Sequence, residues 1–394
     1  MSASAGRRIA IVSPSLLAHD AVGNASAALY QGLASVPGNV VTLFTRGTDR
    51  TDVPTTVVTT MTDLMYNDAF LRADVLIYTY AIFSDLFDIL LIGNGRAVQV
   101  VRFHNVTPAD LVEERDRPLI VRSMRQLQVF RSADEIWADS QVNVEELTQR
   151  GIRPERVRVM PLGVNAVARG SLLEKRSGPV RFIYVGRIVP SKGVDELIEA
   201  AGLLGRKASF DFSLEICGNL RHSPPAFIQR LERRIVQLNL SDKVVIRGSV
   251  STAELAETYR DAHVFVTASH HEGFCVPVIE GLAAGCVPVS YDNSNLRYIH
   301  GGLGRMAAAN TSVSLAEAMH SVGDAIMRFW AGEPAMLDLA GGTMSFGAFA
   351  AAAEAYVAQF DPALRDQRVR ERVEALTAEI CVPTGTGEDP SIRP

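Results

Sequence analysis

His271-Glu272-Gly273-Phe274-Cys275-Val276-Pro277-Val278-Ile279-Glu280-Gly281-Leu282-Ala283-Ala284-Gly285 is the stretch around which the rest of the chain is read. Ahead of it, Val264-Phe265-Val266-Thr267 reads as a strand. Behind it, Val287-Pro288-Val289 reads as another, and a short helix-like run closed by Gly285 lies between. Strand, polar loop, helix and strand form the repeating unit of a parallel sheet. In such sheets, ligands sit at the carboxyl ends of strands and at helix starts. Glu272 falls in the loop, and Glu280 lies early in the helix.

The same alternation runs outward in both directions. Toward the N-terminus, strands are expected at Arg8–Ser13, Val40–Phe44, Val53–Thr60, Asp74–Tyr78, Ala97–Phe103, Glu135–Ala138 and Val157–Met160. A loop over Pro14–Gly23 precedes a helix over Asn24–Ala34, and a further helix is expected over Leu64–Arg72. Closer to the opening stretch, strands are expected at Phe182–Val185, Leu214–Cys217 and Val244–Ile246, with helices at Val194–Leu204 and Phe227–Leu238. Ser251 and Glu254 form a capping-box pattern ahead of a helix over Ala253–Arg260. Strands alternating with helices indicate an α/β architecture with helices on both faces of parallel sheets.

At 394 residues the chain exceeds what one core covers, so two domains are expected. They are placed at 1–165 and 179–344, joined by a linker at 166–178. Helices over 345–382 are expected to pack back on the first domain, and 383–394 is expected to be a disordered tail. Hydrophobic residues make up 47% and charged residues 21%, as in soluble globular chains. A net charge of -5 argues against a nucleic-acid binder. Cys217, Cys275, Cys286 and Cys381 form no CxxC pair, so neither a zinc site nor a disulfide framework is indicated, and a reduced setting follows. No apolar run reaches the roughly 20 residues of a membrane span. The expected location is the cytoplasm, with peripheral contact at the inner face of the plasma membrane through the arginine-rich amphipathic segment around 119–131.

Charge placement suggests the chemistry. Arg187 and Lys192 stand five apart where a strand ends, and such a pair can neutralise a diphosphate without a metal. The helix beginning near Val276 adds backbone N–H donors at its start. Glu280 can accept hydrogen bonds from a ribose diol, and Glu272, ahead of the helix, can face a sugar. His104 and Asn105 end another strand, a plausible polar site. No Asp-x-Asp occurs, so the usual carboxylate pair for a metal-bound sugar nucleotide is missing, and no metal or cofactor is expected.

Taken together, Tyr184-Val185-Gly186-Arg187, Ser191-Lys192-Gly193, Glu272-Gly273-Phe274 and Glu280-Gly281-Leu282-Ala283-Ala284-Gly285 resemble the family 4 retaining glycosyltransferases. The match is tight over residues 180–290. Pro161-Leu162-Gly163-Val164 looks like that family's interdomain segment. Phe103-His104-Asn105-Val106-Thr107-Pro108 is similar to a subgroup associated with bacterial surface polysaccharides, and Asp20-Ala21-Val22-Gly23-Asn24 to its first loop.

The resemblance implies the GT-B fold: two Rossmann-like domains across a cleft, with C-terminal helices crossing back. It implies transfer of a sugar, with retention, from a nucleoside-diphosphate sugar (GDP-mannose or a UDP-hexose) to a hydroxyl of a glycan, lipid-linked or small-molecule acceptor. Arg187 and Lys192 would hold the diphosphate and Glu280 the ribose. Glu272, Gly273 and Phe274 would contact the donor sugar, and His104 would sit across the cleft. Gly23 would let the first loop approach the phosphates. Asn219, Val250 and Cys275 complete the expected donor contacts. The chain departs from the family in two places: the first loop's paired glycines are reduced to Gly23, and a common Pro-Glu is replaced by Asn293–Ile299. Two other readings are a sugar-nucleotide epimerase or hydrolase on the same fold, and a non-catalytic nucleotide-sugar-binding module.

Overall fold

The computed structural model describes residues 6–18, 20–220 and 223–380. Cys381 and the tail 383–394 lie outside them.

Short apolar segments become parallel strands, buried toward the middle and more exposed at the edges, in two large sheets. The first holds β1 (Arg8–Val12), β2 (Val40–Thr45), β3 (Thr56–Val57), β4 (Val75–Tyr80), β5 (Val98–Phe103), β6 (Glu135–Ala138) and β7 (Val157–Val159), in the order β3-β2-β1-β4-β5-β6-β7. The second holds β8 (Val180–Val185), β9 (Phe212–Cys217), β10 (Val244–Gly248), β11 (Val264–Thr267), β12 (Val287–Ser290) and β13 (Arg305–Met306), in the order β10-β9-β8-β11-β12-β13. Each pairing within the two sheets is parallel. In the second sheet the order reverses between β8 and β11. That reversal opens a crevice at the carboxyl ends of the strands.

Most expected elements stand where sequence patterning put them, and four differ. The first helix begins at Ala21, because Asp20 caps it by accepting from the Gly23 N–H at 2.9 Å. Val53–Thr60 pairs over Thr56–Val57 alone, since Pro54 has no N–H to donate. Leu64–Arg72 is split into Met61–Met65 and Asp68–Leu71, where Asn67 starts a new helix by capping Ala69. The arginine-rich segment is α-helical over Arg117–Gln126 and tightens to a 3-10 helix over Leu127–Ser132.

The C-terminal helices divide between the domains. Helix Phe346–Val357 does not reach the first domain: Phe346, Phe349, Ala353 and Val357 are part of the second core. Only helix Pro362–Ile380 crosses back. Its Val369, Val373 and Leu376 pack with Ile9, Ile11 and Leu33. Arg372 Nε donates to both carboxylate oxygens of Glu135 at 2.8 Å. Residues 166–178 are not free of the second domain either. Ala168 and Leu172 are in its core, and the Gly170 N–H donates to the Ala283 carbonyl at 3.0 Å.

Candidate active site

The residues singled out in the second domain lie on exits from neighbouring strands. Arg187 follows β8, Asn219 follows β9, Val250 follows β10, and the 271–275 loop follows β11. Backbone bonds zip the first three exits together: the Gly186 N–H donates to Cys217 at 3.0 Å, and the Gly218 N–H to Gly248 at 2.9 Å. A Cβ on Gly218 would stand 1.9 Å from the Gly186 carbonyl oxygen, so only glycine allows this approach.

At the reversal between β8 and β11, Lys192 Nζ donates to Glu272 Oε1 at 2.7 Å and to the His271 carbonyl at 3.1 Å. The two side chains are 14% and 16% exposed, so water screens the pair only partly. Gly193 makes the placement possible. Its φ is +61°, and a Cβ there would lie 2.2 Å from the Ala268 carbonyl oxygen. The Arg187 side chain is exposed and makes no ion pair among the described residues.

Glu280 does not meet Glu272. It accepts from the buried Tyr259 hydroxyl at 3.1 Å through Oε2. Burial raises its carboxyl above the usual range, against the lowering effect of that bond. Tyr259 was missed in the sequence reading because it lies within a separate helix, Thr252–Asp261. Cys275 caps helix Val276–Ala283 with φ 77° and no side-chain cap bond. The N–H groups of Gly273, Phe274 and Cys275 make no hydrogen bond among the described residues.

A second missed group braces this loop. The Glu272 N–H donates to Ser294 Oγ at 2.9 Å, the Asn295 N–H to the Glu272 carbonyl at 3.3 Å, and Asn295 Nδ2 to the Phe274 carbonyl at 2.7 Å. Asn293 Nδ2 donates to the Ser269 carbonyl at 3.0 Å. These residues lie in the segment that departs from the family pattern, so the departure itself was the signal. The described non-glycine residues with positive φ are Asn105, Asn239, Cys275 and Ser294, and all but Asn239 adjoin the cleft. Backbone strain of this kind gathers at functional sites.

From the first domain, the turn after β5 reaches the same loop. His271 Nε2 and Asn105 Oδ1 are 2.7 Å apart. Asn105 Nδ2 donates to Asn143 and Glu146, so its Oδ1 accepts and the His271 ring donates. Burial, helped by the Lys192 charge, lowers the His271 pKa to about 4. A Cβ on Gly273 would be 2.5 Å from Asn105 Cβ and 3.2 Å from the His104 carbonyl oxygen. His104 Nδ1 lies 2.7 Å from Asp139 Oδ2, and Arg102 Nη2 lies 2.6 Å from Asp139 Oδ1. Neither Arg102 nor Asp139 was singled out from sequence.

Gly23 is part of none of this bonding. A Cβ there would stand 2.3 Å from the Leu17 carbonyl oxygen, so its missing side chain accommodates the turn before it. Among the described residues, no group of three or more His, Cys, Asp or Glu side chains is arranged to hold a metal. No helix among them is long and apolar enough to cross a membrane.

Two facing parallel sheets with a cleft at their carboxyl ends define a GT-B protein. Residues 172–322 match the family model described as glycosyl transferases group 1, in line with the resemblance read from the sequence. The chain is 28% identical over 196 residues to a mannosylfructose-phosphate synthase of Agrobacterium fabrum, covering 47% of this chain and 42% of that one. It is 31% identical over 164 residues to an MMP alpha-(1->4)-mannosyltransferase of Mycolicibacterium hassiacum, covering 41% and 37%. The chain spans about half the length, or less, of these curated relatives. In structure it is similar to Anabaena HepE in complex with UDP and glucose, at TM-score 0.69 and 15% identity over 94% of this chain and 100% of that one. A glycosyltransferase from Rickettsia africae aligns at TM-score 0.69 and 18% identity, covering 95% and 98%.

Proposed function

We propose that this chain is a retaining, metal-independent glycosyltransferase. It moves a sugar from a nucleoside-diphosphate sugar, GDP-mannose or a UDP-hexose, to a hydroxyl of a glycan, lipid-linked or small-molecule acceptor. The observation that carries the reading is the Lys192–Glu272 pair at the strand-order reversal, with His104 brought against Gly273 from the other domain.

Each part has a task in this reading. Lys192 and Arg187 take the donor diphosphate, whose charge grows as it leaves, and fixed cations stabilise that transition state. The free N–H groups of Gly273, Phe274 and Cys275 at the start of helix Val276–Ala283 add donors for the sugar and phosphate. Glu280 holds the ribose through the oxygen that Tyr259 leaves open. Asn219 and Val250, which follow β9 and β10 on the same edge, take the base in this reading. The acceptor attacks from the face the diphosphate leaves, and a phosphate oxygen takes its proton. The mannosyl names of two relatives support a mannosyl donor, and the UDP-glucose bound in HepE supports a UDP-hexose.

A thermal-shift screen of GDP- and UDP-sugars tests the donor, since a ligand that binds only the folded state raises its melting temperature. Donor breakdown is then followed with and without acceptors. Breakdown that needs no acceptor would overturn transfer in favour of hydrolysis or epimerisation. Peripheral membrane contact belongs to the same proposal. It is supported by the exposed Arg117, Arg122 and Arg125 beside the exposed Leu119 and Val121. Flotation with anionic liposomes that survives neutralising Arg122 and Arg125 would count against this helix.

A further inference from the structure

His104 Nε2 is buried and has no hydrogen-bond partner among the described residues. Leaving such an atom unpaired costs about 1–3 kcal/mol, so a natural site keeps one for a reason. The other face of the ring is fully committed. In the parallel register Phe103 pairs with Ala138, so the next residues, His104 and Asp139, emerge side by side at the carboxyl edge. Their side chains are 4% and 3% exposed.

Asp139 is held as the anion. Burial pushes its carboxyl up, but the Arg102 guanidinium at 2.6 Å and the His104 ring at 2.7 Å outweigh that and keep it below the usual range. An anionic carboxylate only accepts, so the proton of the shared bond is on Nδ1. Arg102 already balances the Asp139 charge, so the imidazole is not required to be positive. The last helix brings Arg365 close enough for its charge to act on Arg102, and Asp366 pairs with Arg365 at 2.7 Å. The cluster is therefore two arginines against two aspartates, a balance that is reached without a charge on the ring.

We propose that Asp139 is a positioning residue: it holds His104 as the Nδ1–H tautomer, so that Nε2 meets a substrate hydroxyl as a hydrogen-bond acceptor. This rests on the glycosyl-transfer reading of the cleft. The hydroxyl belongs either to the donor sugar or to the acceptor. A partner on the far ring nitrogen fixes tautomer and ring orientation, and where such partners serve metal-binding histidines their loss costs roughly 10–100-fold.

The test begins with the wild-type chain and needs no catalysis. Nitrogen-15 spectra of the histidine rings, with His104→Gln supplying the assignment, should show a protonated Nδ1 and an unprotonated Nε2 for His104. The reverse tautomer would overturn the proposal. Asp139→Asn should lower kcat about 10–100-fold while the melting transition remains cooperative. If that variant fails to fold, the wild-type tautomer still decides. Donor affinity of His104→Gln then places the hydroxyl: a fall in affinity puts it on the donor sugar. Unchanged donor affinity with a raised acceptor KM puts it on the acceptor, and no change in either overturns the idea. A wild-type chain with the expected tautomer but no transfer would instead refute the glycosyltransferase reading.

Discussion

Lys192→Ala separates the two roles of the ammonium. In the fold, Nζ answers Glu272 Oε1 at 2.7 Å and the His271 carbonyl at 3.1 Å. Hydrogen bonds to charged groups contribute about 1.5–3 kcal/mol, but Glu272 retains some water, so the lower end applies. For a chain of this size about 1.5 kcal/mol lowers the melting temperature by roughly 2 °C. In the reaction, the lost cation faces the diphosphate as its charge grows. Removing one such preorganised donor costs about 2.7–4 kcal/mol, or 10²–10³ in kcat. The functional effect should therefore exceed the structural one. Initial rates of nucleoside-diphosphate release, with acceptor present, give kcat, and thermal melting gives stability. Glu272→Gln is the control, since the amide oxygen can still accept from Lys192 while the opposing charge is gone. A folded Lys192→Ala whose kcat/KM stays within about threefold of wild type would refute the assignment of the diphosphate to this site, because even one charge-assisted bond is worth more than that.

Other outcomes can be checked alongside. Gly193→Ala should destabilise by at least about 1–2 kcal/mol from the left-handed backbone alone, with more from the contact with the Ala268 carbonyl, read as a lowered urea midpoint. Asn295→Ala leaves the Phe274 carbonyl without its buried partner, and should cost about 1–3 kcal/mol and raise donor KM, because the loop it braces carries the free N–H groups. His263, His271 and His300 are each lowered to about 4 by burial. Each resists protonation in the folded state while the unfolded chain accepts it near 6.5. Stability should thus be full above about 6.5 and fall as pH drops toward 4, by up to about 1.4 kcal/mol per pH unit for each ring. Denaturation midpoints measured across that window check this, and a flat profile would contradict the buried neutral rings.

Much of the sheet architecture was legible because parallel strands buried on both faces are short apolar runs, and helices announce themselves through caps such as Ser251 with Glu254. Arg187, Lys192, Glu272 and Glu280 were legible as types at a spacing. Their pairing was not. That Lys192 bonds to Glu272 while Glu280 bonds to Tyr259 depends on strand order, which local pattern does not contain. Arg102 sits at the end of β5 and Asp139 just after β6, and only the register between those strands makes them neighbours of His104. A charge inside the apolar run Val98–Phe103 was the available hint. Helix Phe346–Val357 was assigned to the wrong domain for a related reason: an apolar helix face shows that something covers it, not which sheet does.

The chain passes between its domains twice, once after β7 and once before helix Pro362–Ile380, and the two passages run side by side. The Val164 N–H donates to the Phe360 carbonyl at 2.8 Å, and a Cβ on Gly163 would stand 2.9 Å from Pro362 Cα. Two covalent tethers at one place leave the sheets little freedom to slide, and they confine relative motion to a swing about that hinge. The His271–Asn105 bond bridges the domains within the cleft itself, where it holds the mouth shut. Opening the cleft to a substrate therefore requires that hydrogen bond to break while the hinge bonds persist. The swing is released by two side-chain contacts across the cleft, His271 with Asn105 and the Tyr298 hydroxyl with Glu145 at 3.5 Å, each with a net worth on the order of 1 kcal/mol.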